Sequence, residues 1–164
     1  MEVVNTTFGP ITGVVDGGSL SWLGLRYATA ERWGLPAMVA PWEGVLPATS
    51  FGASCPQQPN VESSARQSED CLFVNIWMPS GAERPPNRVL AFLHGGSFEV
   101  GSIAPMYNGS FLYSGAQLAA EQNVTVATIQ YRLGALGWLA RANATNLGLR
   151  DQRVALRFLR RCGV

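Results

Sequence analysis

A glycine-rich loop, His94-Gly-Gly-Ser97, follows an apolar run and contains the only histidine of the chain. Glycine at such a place leaves room for a ligand to approach the main chain, and it adopts backbone conformations that other residues avoid. Backbone N–H groups in a loop of this kind can point at a negative group. The pattern therefore predicts an anion-binding loop, and the rest of the sequence must indicate which anion it binds.

Three chemistries fit this loop poorly. A phosphate-binding P-loop needs a lysine after its glycines, and all twelve basic residues here are arginine. A dinucleotide fingerprint opens a helix directly, whereas the next helical pattern here begins about ten residues later. A metal site at His94 lacks a second histidine and nearby cysteines, so we expect neither a metal nor a cofactor. An oxyanion hole remains, in which backbone N–H groups stabilise the negative oxygen formed from an ester carbonyl. The alternative is a tight turn around a buried structural histidine.

A carboxylate lies on the apolar face of the last predicted helix. Asp151 comes four residues after Leu147 and four before Ala155, which places it on the buried face. A buried carboxylate needs a cationic partner or hydrogen bonds, and Arg132 is the candidate partner. A catalytic role for Asp151 is the alternative. Asn146 is the predicted helix cap. The opposite face carries arginines that indicate a solvated surface rather than a phosphate site: Arg150, Arg153, Arg157 and Arg160.

The elements around these residues predict an α/β fold in one domain, residues 1–164. Residues 3–4 and 11–15 suit a hairpin, 20–27 a strand, and 71–77 a strand with one wet face. The apolar run 88–93 is typical of a strand buried on both faces. A helix over 111–122 and a strand over 124–129 complete a βαβ unit, whose two strands should be parallel with a right-handed crossover.

Composition excludes some classes of partner. The net charge of +1 with 14% charged residues argues against nucleic-acid binding. No apolar run reaches the roughly 18 residues that a membrane span requires. The N-terminus does not have the pattern of a signal peptide, yet four sequons favour a secretory setting with glycans at Asn5, Asn108, Asn123 and Asn143. Cys55 and Cys71 flank a polar loop, and their spacing leaves open both a disulfide and reduced thiols.

From about residue 4 to about residue 161, a series of segments resembles the type-B carboxylesterase/cholinesterase family, in the family's order. The resemblance implies the N-terminal part of an α/β-hydrolase fold, with an N-terminal hairpin and a mixed sheet joined by crossover helices. The segments are Leu23-Gly-Leu-Arg-Tyr-Ala28, Ala48-Thr-Ser-Phe-Gly-Ala-Ser-Cys-Pro-Gln57, Ser68-Glu-Asp-Cys-Leu-Phe-Val-Asn-Ile-Trp77, His94-Gly-Gly-Ser-Phe98, Tyr131-Arg-Leu-Gly-Ala-Leu-Gly-Trp-Leu139 and Asn146-Leu-Gly-Leu-Arg-Asp-Gln152.

The resemblance assigns roles to the loop and to two cysteines. It implies that Cys55 and Cys71 are bridged. It implies that the backbone N–H groups of Gly96 and Ser97 donate to the oxyanion, while Gly95 shapes the turn. Ser97 stands where the family commonly has glycine or alanine, a change that should matter little because the donor is a backbone group.

The resemblance also implies two ion pairs. Arg32 should pair with Glu69 of the Ser-Glu-Asp-Cys segment. Arg132 should pair with Asp151, the pairing that helical periodicity indicates independently.

The family's catalytic triad has no counterpart in this sequence. No serine lies in a Gly-x-Ser-x-Gly frame, and the family's catalytic histidine lies far downstream of the position of His94. We therefore expect the N-terminal third of a carboxylesterase type-B domain, ending before the nucleophile-elbow strand. The complete form would hydrolyse a small-molecule carboxylic ester by a Ser-His-acid mechanism, and this portion would be inactive alone. A non-catalytic cholinesterase-like adhesion or binding protein is the alternative.

Such a chain should leave a sheet edge open. We expect the sheet to end at the strand 124–129, with its apolar edge unpaired and prone to aggregation.

Overall fold

The structure, a computed structural model, describes residues 2–58, 66–81, 86–107, 110–142 and 144–163. Strands and helices alternate along the C-terminal half, as an α/β fold requires. The strands are β1 (Glu2–Thr6), β2 (Gly9–Asp16), β3 (Ser19–Arg26), β4 (Ala28–Thr29), β5 (Ala37–Met38), β6 (Leu46–Pro47), β7 (Phe73–Pro79), β8 (Val89–Leu93), β9 (Met106–Tyr107), β10 (Ser110–Phe111) and β11 (Thr125–Ile129). The helices are α1 (Ala116–Gln122), α2 (Gly134–Trp138) and α3 (Leu147–Cys162).

The main sheet has the order β1-β2-β3-β7-β11-β8, with β6 paired to β2. The N-terminal hairpin β1–β2 is antiparallel, and β11 runs antiparallel to β7 but parallel to β8. The predicted α/β class, the hairpin and the parallel βαβ pair are therefore confirmed. The parallel pairing aligns Leu93 with Ile129, so both strands deliver the residues that follow them to the same end of the sheet.

Strand β7 is buried on both faces, so the predicted wet face is wrong. Val74, Ile76 and Met78 pack in the main core, while Trp77 packs against a smaller cluster with α1. The prediction relied on the polar Asn75, which is fully buried. Its side chain donates to Thr128 Oγ1 at 3.0 Å and accepts from the Gly24 N–H at 2.8 Å. Hydrogen bonds thus satisfy a polar group that the sequence pattern assigned to solvent.

The open edge of the sheet lies at β8 rather than at β11. The chain leaves β8, crosses through α1 and returns on the inner side, so β11 is inserted between β7 and β8. Every residue of β8 is exposed, whereas every residue of β11 is buried. The prediction that 88–93 is buried on both faces and the prediction that 124–129 forms the edge are both wrong, because the two strands occupy each other's expected places.

The two longer helices, α1 and α3, differ from their predictions in detail. Helix α1 begins at Ala116, after β10 and the poor helix former Gly115, and is therefore shorter than the predicted 111–122. Helix α3 is amphipathic as predicted: Leu147, Asp151, Ala155 and Phe158 are buried and its arginines are exposed. Asn146 precedes it in a left-handed conformation (φ 53°) and makes no side-chain cap, which corrects that prediction.

Candidate functional site

The glycine-rich loop begins where β8 ends, at the carboxyl end of the parallel strand pair. Three consecutive residues adopt positive φ angles: Gly96 at 112°, Ser97 at 54° and Phe98 at 64°. Such angles are uncommon for residues other than glycine and persist only where the surroundings hold them. The loop therefore has one conformation, which the residues around it impose.

Glycine is required at position 96. The N–H groups of Glu99 and Val100 both donate to the Gly96 carbonyl, at 3.0 and 3.1 Å. A Cβ atom on Gly96 would lie 2.0 Å from the Val100 carbonyl oxygen. At Gly95, by contrast, no atom lies within 4 Å of such a Cβ, so packing gives no reason for glycine there. The turn-shaping role of Gly95 stays a prediction, whereas the close contact with Val100 and the positive φ angle both require glycine at position 96.

Two backbone donors of the loop are free. Over the part of the chain that the structure describes, the N–H groups of Gly96 and Ser97 donate to no protein acceptor. Gly96 is half-buried and Ser97 is exposed. The loop therefore offers two adjacent, fixed N–H donors at the end of the sheet, and these can hydrogen-bond a negative oxygen.

His94 is a structural residue at the base of the loop. The residue is 3% exposed, and its ring stacks on the ring of Tyr131 with 4.4 Å between centroids. Its Nδ1 lies 2.9 Å from the Gly95 carbonyl oxygen and its Nε2 lies 3.3 Å from the Gln130 side-chain nitrogen. These partners assign a neutral tautomer in which Nδ1 donates and Nε2 accepts. Burial lowers the pKa of His94, although its bond to Gly95 opposes the shift. The ring thus positions the loop.

Tyr131 and Gln130 were not singled out by the sequence analysis. The Tyr131 hydroxyl donates to the His94 carbonyl oxygen at 2.6 Å, and the Gln130 side-chain oxygen accepts from the Ile103 N–H at 3.0 Å. A signal for them existed, because both residues follow the predicted strand 124–129 and His94 follows its predicted parallel partner. Polar residues just after two paired parallel strands lie side by side.

Phe98 is held at the other side of the turn. Its ring contacts that of Trp138 at 4.2 Å between centroids, and its carbonyl accepts from the Gly134 N–H at 2.7 Å. Both partners belong to α2. These contacts explain how a bulky residue keeps a positive φ angle.

A buried ion pair anchors the polypeptide that runs from β11 to α2. Asp151 is fully buried, and its Oδ1 accepts from Arg132 Nη2 at 2.7 Å. Its Oδ2 accepts from Arg132 Nε at 2.8 Å and from the Arg132 backbone N–H at 3.1 Å. Arg132 Nη1 also donates to the Gly34 carbonyl at 2.8 Å. Burial raises the pKa of Asp151, and the hydrogen bonds and charge of Arg132 oppose that shift. The geometry assigns Asp151 a structural partner.

The comparisons with known proteins agree on one family. The sequence model of the Carboxylesterase family matches residues 1–162. The chain belongs to the carboxylesterase family. It is 37% identical to para-nitrobenzyl esterase of Bacillus subtilis (strain 168), over 97% of the chain and 34% of that protein. A solved structure titled PNB esterase superimposes with a TM-score of 0.86 at 36% identity, over 98% of this chain and 34% of that one. The α/β-hydrolase-type fold implied by the resemblance is therefore confirmed.

Relatives of two further kinds match the same portion. Bile salt-activated lipase of Mus musculus is 35% identical over 84% of the chain and 24% of its own length. Neuroligin-2 of Homo sapiens is 34% identical over 96% of the chain and 24% of its own length. The carboxylesterase-family chain thus spans about a third or less of these relatives, so their whole activities do not transfer to it directly.

The disulfide expected of this family is present. Cys55 and Cys71 are bonded and fully buried, which confirms the predicted pairing. Cys162, near the end of α3, is a buried free cysteine. Burial raises the pKa of its thiol to about 11, so the thiol stays protonated at neutral pH.

We expect the native carboxylesterase-family chain to react with no thiol reagent at pH 8 within minutes, because Cys162 is buried and protonated. In denaturant without reductant it should titrate as one thiol per chain, and after reduction as three. A colorimetric thiol assay measures both. Three thiols in denaturant without reductant would show that the disulfide is absent.

Two exposed ion pairs hold the segment that carries this disulfide. Arg32 pairs with Glu69, and this contact lowers the pKa of the Glu69 carboxyl. Arg26 pairs with Asp70 and lies over the Phe73 ring, at 4.6 Å from its centroid. The second pair was missed by the sequence analysis, since nothing in the spacing of an arginine and an aspartate 44 residues apart indicates it.

Two of the predicted glycan acceptors are described. Asn5 in β1 and Asn123 after α1 are both exposed, while Asn108 and Asn143 lie outside the described residues. No group of three or more His, Cys, Asp or Glu suited to a metal ion occurs among the residues described. Within the same ranges, none of the helices has both the length and the apolar character needed to cross a membrane.

Proposed function

We propose that this chain is the N-terminal portion of a carboxylic-ester hydrolase and that its glycine-rich loop forms the oxyanion hole. The observation that supports this most directly is the pair of free N–H donors at Gly96 and Ser97, fixed by the strained turn at the end of β8. The names of two relatives, para-nitrobenzyl esterase and bile salt-activated lipase, support an ester substrate.

In this mechanism the loop acts on the carbonyl oxygen of a small-molecule carboxylic ester. Attack by a nucleophile turns the carbonyl carbon tetrahedral and transfers negative charge to that oxygen. The N–H groups of Gly96 and Ser97 hydrogen-bond the charged oxygen more strongly than the neutral one, and so lower the barrier. Because both donors belong to the backbone, the serine side chain at position 97 takes no part. Loss of one such donor costs roughly 10²–10³ in rate.

The attacking serine and its base would come from sequence beyond the 164 residues. No serine of the chain lies in a Gly-x-Ser-x-Gly frame, and His94 is occupied by Gly95 and Gln130. The loop is thus ready to stabilise an oxyanion that these residues cannot generate alone.

We therefore expect the 164-residue chain to hydrolyse p-nitrophenyl acetate no faster than an unrelated protein at the same concentration. Release of p-nitrophenolate measures this, with an organophosphate-treated sample as control. Turnover that the organophosphate abolishes would overturn the assignment, since it would reveal a reactive serine among these residues.

A second candidate, a non-catalytic adhesion or binding protein, is supported by the match to neuroligin-2. The transcript 3′ of the Val164 codon separates the two. If a longer product contains a serine in a Gly-x-Ser-x-Gly frame and hydrolyses p-nitrophenyl acetate in an organophosphate-sensitive way, the proposal stands. If another residue stands in place of that serine and the product is inactive, the chain belongs to a binding protein and the hydrolase proposal is wrong.

A secretory setting fits this proposal. The Cys55–Cys71 disulfide persists best in oxidising compartments, and the sequon asparagines Asn5 and Asn123 are accessible to glycosylation.

A further inference from the structure

The segment that follows the glycine-rich loop is held at Gly101 by one glutamine side chain. Gln57 Nε2 donates to the Gly101 carbonyl oxygen at 2.8 Å, and the Gly101 N–H donates to Gln57 Oε1 at 2.8 Å. A side-chain amide has one donor group and one acceptor, and here both are matched to the two backbone groups of a single residue. We call this pair of bonds the Gln57 clamp.

Gly101 lies directly against the start of the loop. Its φ angle is 123°, and a Cβ atom there would be 2.3 Å from His94 Nδ1 and 2.5 Å from the Gly95 carbonyl oxygen. The residue is buried. A displacement of Gly101 therefore moves His94 and Gly95, the two residues that precede the free donors.

The clamp is itself held by the disulfide segment. Gln57 follows Cys55 by two residues, and its Nε2 also lies 3.1 Å from the Cys55 carbonyl oxygen. Its backbone N–H donates to Gln67 Oε1 at 2.9 Å, in the segment that leads to Cys71. Contacts within the disulfide segment thus fix both the backbone and the side chain of Gln57, in addition to its bonds with Gly101.

Gln130 closes the loop from the other side. Its side chain contacts the His94 ring at one end and accepts from the Ile103 N–H at the other. Gln130, directly after β11, consequently ties His94 to Ile103, and the Gln57 clamp is the contact that ties Gly101 to the disulfide segment.

We propose that Gln57 is a positioning residue of the oxyanion loop, which holds Gly101 so that the N–H groups of Gly96 and Ser97 keep their direction. Its meaning for catalysis rests on the proposed function. The clamp itself can be measured in the chain without any activity.

The test is hydrogen exchange of the 164-residue chain, followed by mass spectrometry at micromolar concentration. In Gln57→Ala, peptides that cover residues 95–103 should exchange about tenfold faster or more, because both bonds to Gly101 are lost. Peptides that cover β7 and β11 should keep their rates. The matched control is Gln58→Ala, the exposed neighbour, which should exchange as the unsubstituted chain does in all of these peptides.

Gln57→Glu provides a rescue that a packing role would not show. The neutral acid keeps one acceptor oxygen and one O–H donor, whereas the carboxylate has acceptors only and would face the Gly101 carbonyl. That contact disfavours the charged form, so the carboxyl should titrate above the ordinary glutamate pKa of about 4.3. Relative to Gln58→Glu at each pH, loop exchange should be normal below the titration and rise to the Gln57→Ala level above it.

Three results would overturn the proposal: unchanged loop exchange in Gln57→Ala, equal acceleration in the loop, β7 and β11, or a pH-independent ratio in Gln57→Glu. Failure of the proposed function would instead appear as an inactive longer product beside an intact exchange result. The two failures are therefore distinguishable.

Discussion

Replacing Asp151 by alanine should lower the free energy of unfolding by about 3–5 kcal/mol, because it leaves the Arg132 guanidinium buried without its counter-charge. Side chains of both residues are almost inaccessible to water, at 5% and 0% exposure. The substitution also removes the acceptor of the Arg132 backbone N–H. A domain of this size is stable by about 5–15 kcal/mol in all, so Asp151→Ala should unfold at much lower urea concentration or be unfolded from the start. Urea titration followed by tryptophan fluorescence measures the loss.

Two variants separate the buried charge from simple loss of contacts. Replacing both partners, Arg132→Met with Asp151→Leu, removes the unpaired charge and should cost less than Asp151→Ala alone. The surface pair serves as the second control. Glu69→Ala removes an exposed partner of Arg32 and should leave the urea midpoint unchanged within error. If the double variant is less stable than Asp151→Ala, hydrogen bonds to Gly34 and the backbone, rather than charge, dominate at this site.

This ion pair shows what helical periodicity can predict. A carboxylate four residues from an apolar residue on each side must be buried if the helix is amphipathic, and burial then demands a partner. The nearest arginine after a predicted strand was sufficient to name Arg132. The pairing thus follows from sequence, because both constraints are local or nearly so.

The positions of the strands show what such patterns cannot predict. An apolar run indicates that a strand has apolar neighbours in the complete fold, but it does not identify them. Val89–Leu93 is apolar on both faces and yet exposed, because β8 is the edge strand of the sheet. Asn75 gave the opposite error, because it was predicted to face solvent and is buried. Its hydrogen-bond partners, Thr128 and Gly24, come from elements distant in sequence.

Some residues of the candidate site could likewise be predicted from the sequence, and others could not. Its free donors follow from a local glycine pattern, and the resemblance to the family supplied their role. The groups that hold the loop, Gln57 and Gln130, come from parts of the chain distant in sequence, and no sequence pattern connects them to the loop. Only the register that aligns Leu93 with Ile129 brings Gln130 to His94.

Placing a lysine at position 90 should convert the chain from an aggregating to a monomeric species. Strand β8 ends the sheet, and its outward backbone groups are free to pair with another chain. Its side chains add apolar surface on both faces, with Leu90 49% exposed on one face and Leu93 40% exposed on the other. Lysine on an edge strand opposes such pairing, because docking a second strand would bury its charge. Light scattering coupled to size-exclusion chromatography at increasing concentration measures the mass of each variant.

Leu149→Lys is the matched control, because Leu149 is also 49% exposed but belongs to α3 and not to the edge strand. It adds the same charge and removes the same apolar area, so any general gain in solubility appears in both variants. We expect Leu149→Lys to aggregate like the unsubstituted chain and Leu90→Lys to remain monomeric. Equal improvement in the two variants, or a monomeric unsubstituted chain at about 100 μM, a concentration at which exposed edges readily associate, would show that the β8 edge does not drive association. The contrast depends on position alone, and it therefore locates the reactive edge at β8 rather than at β11.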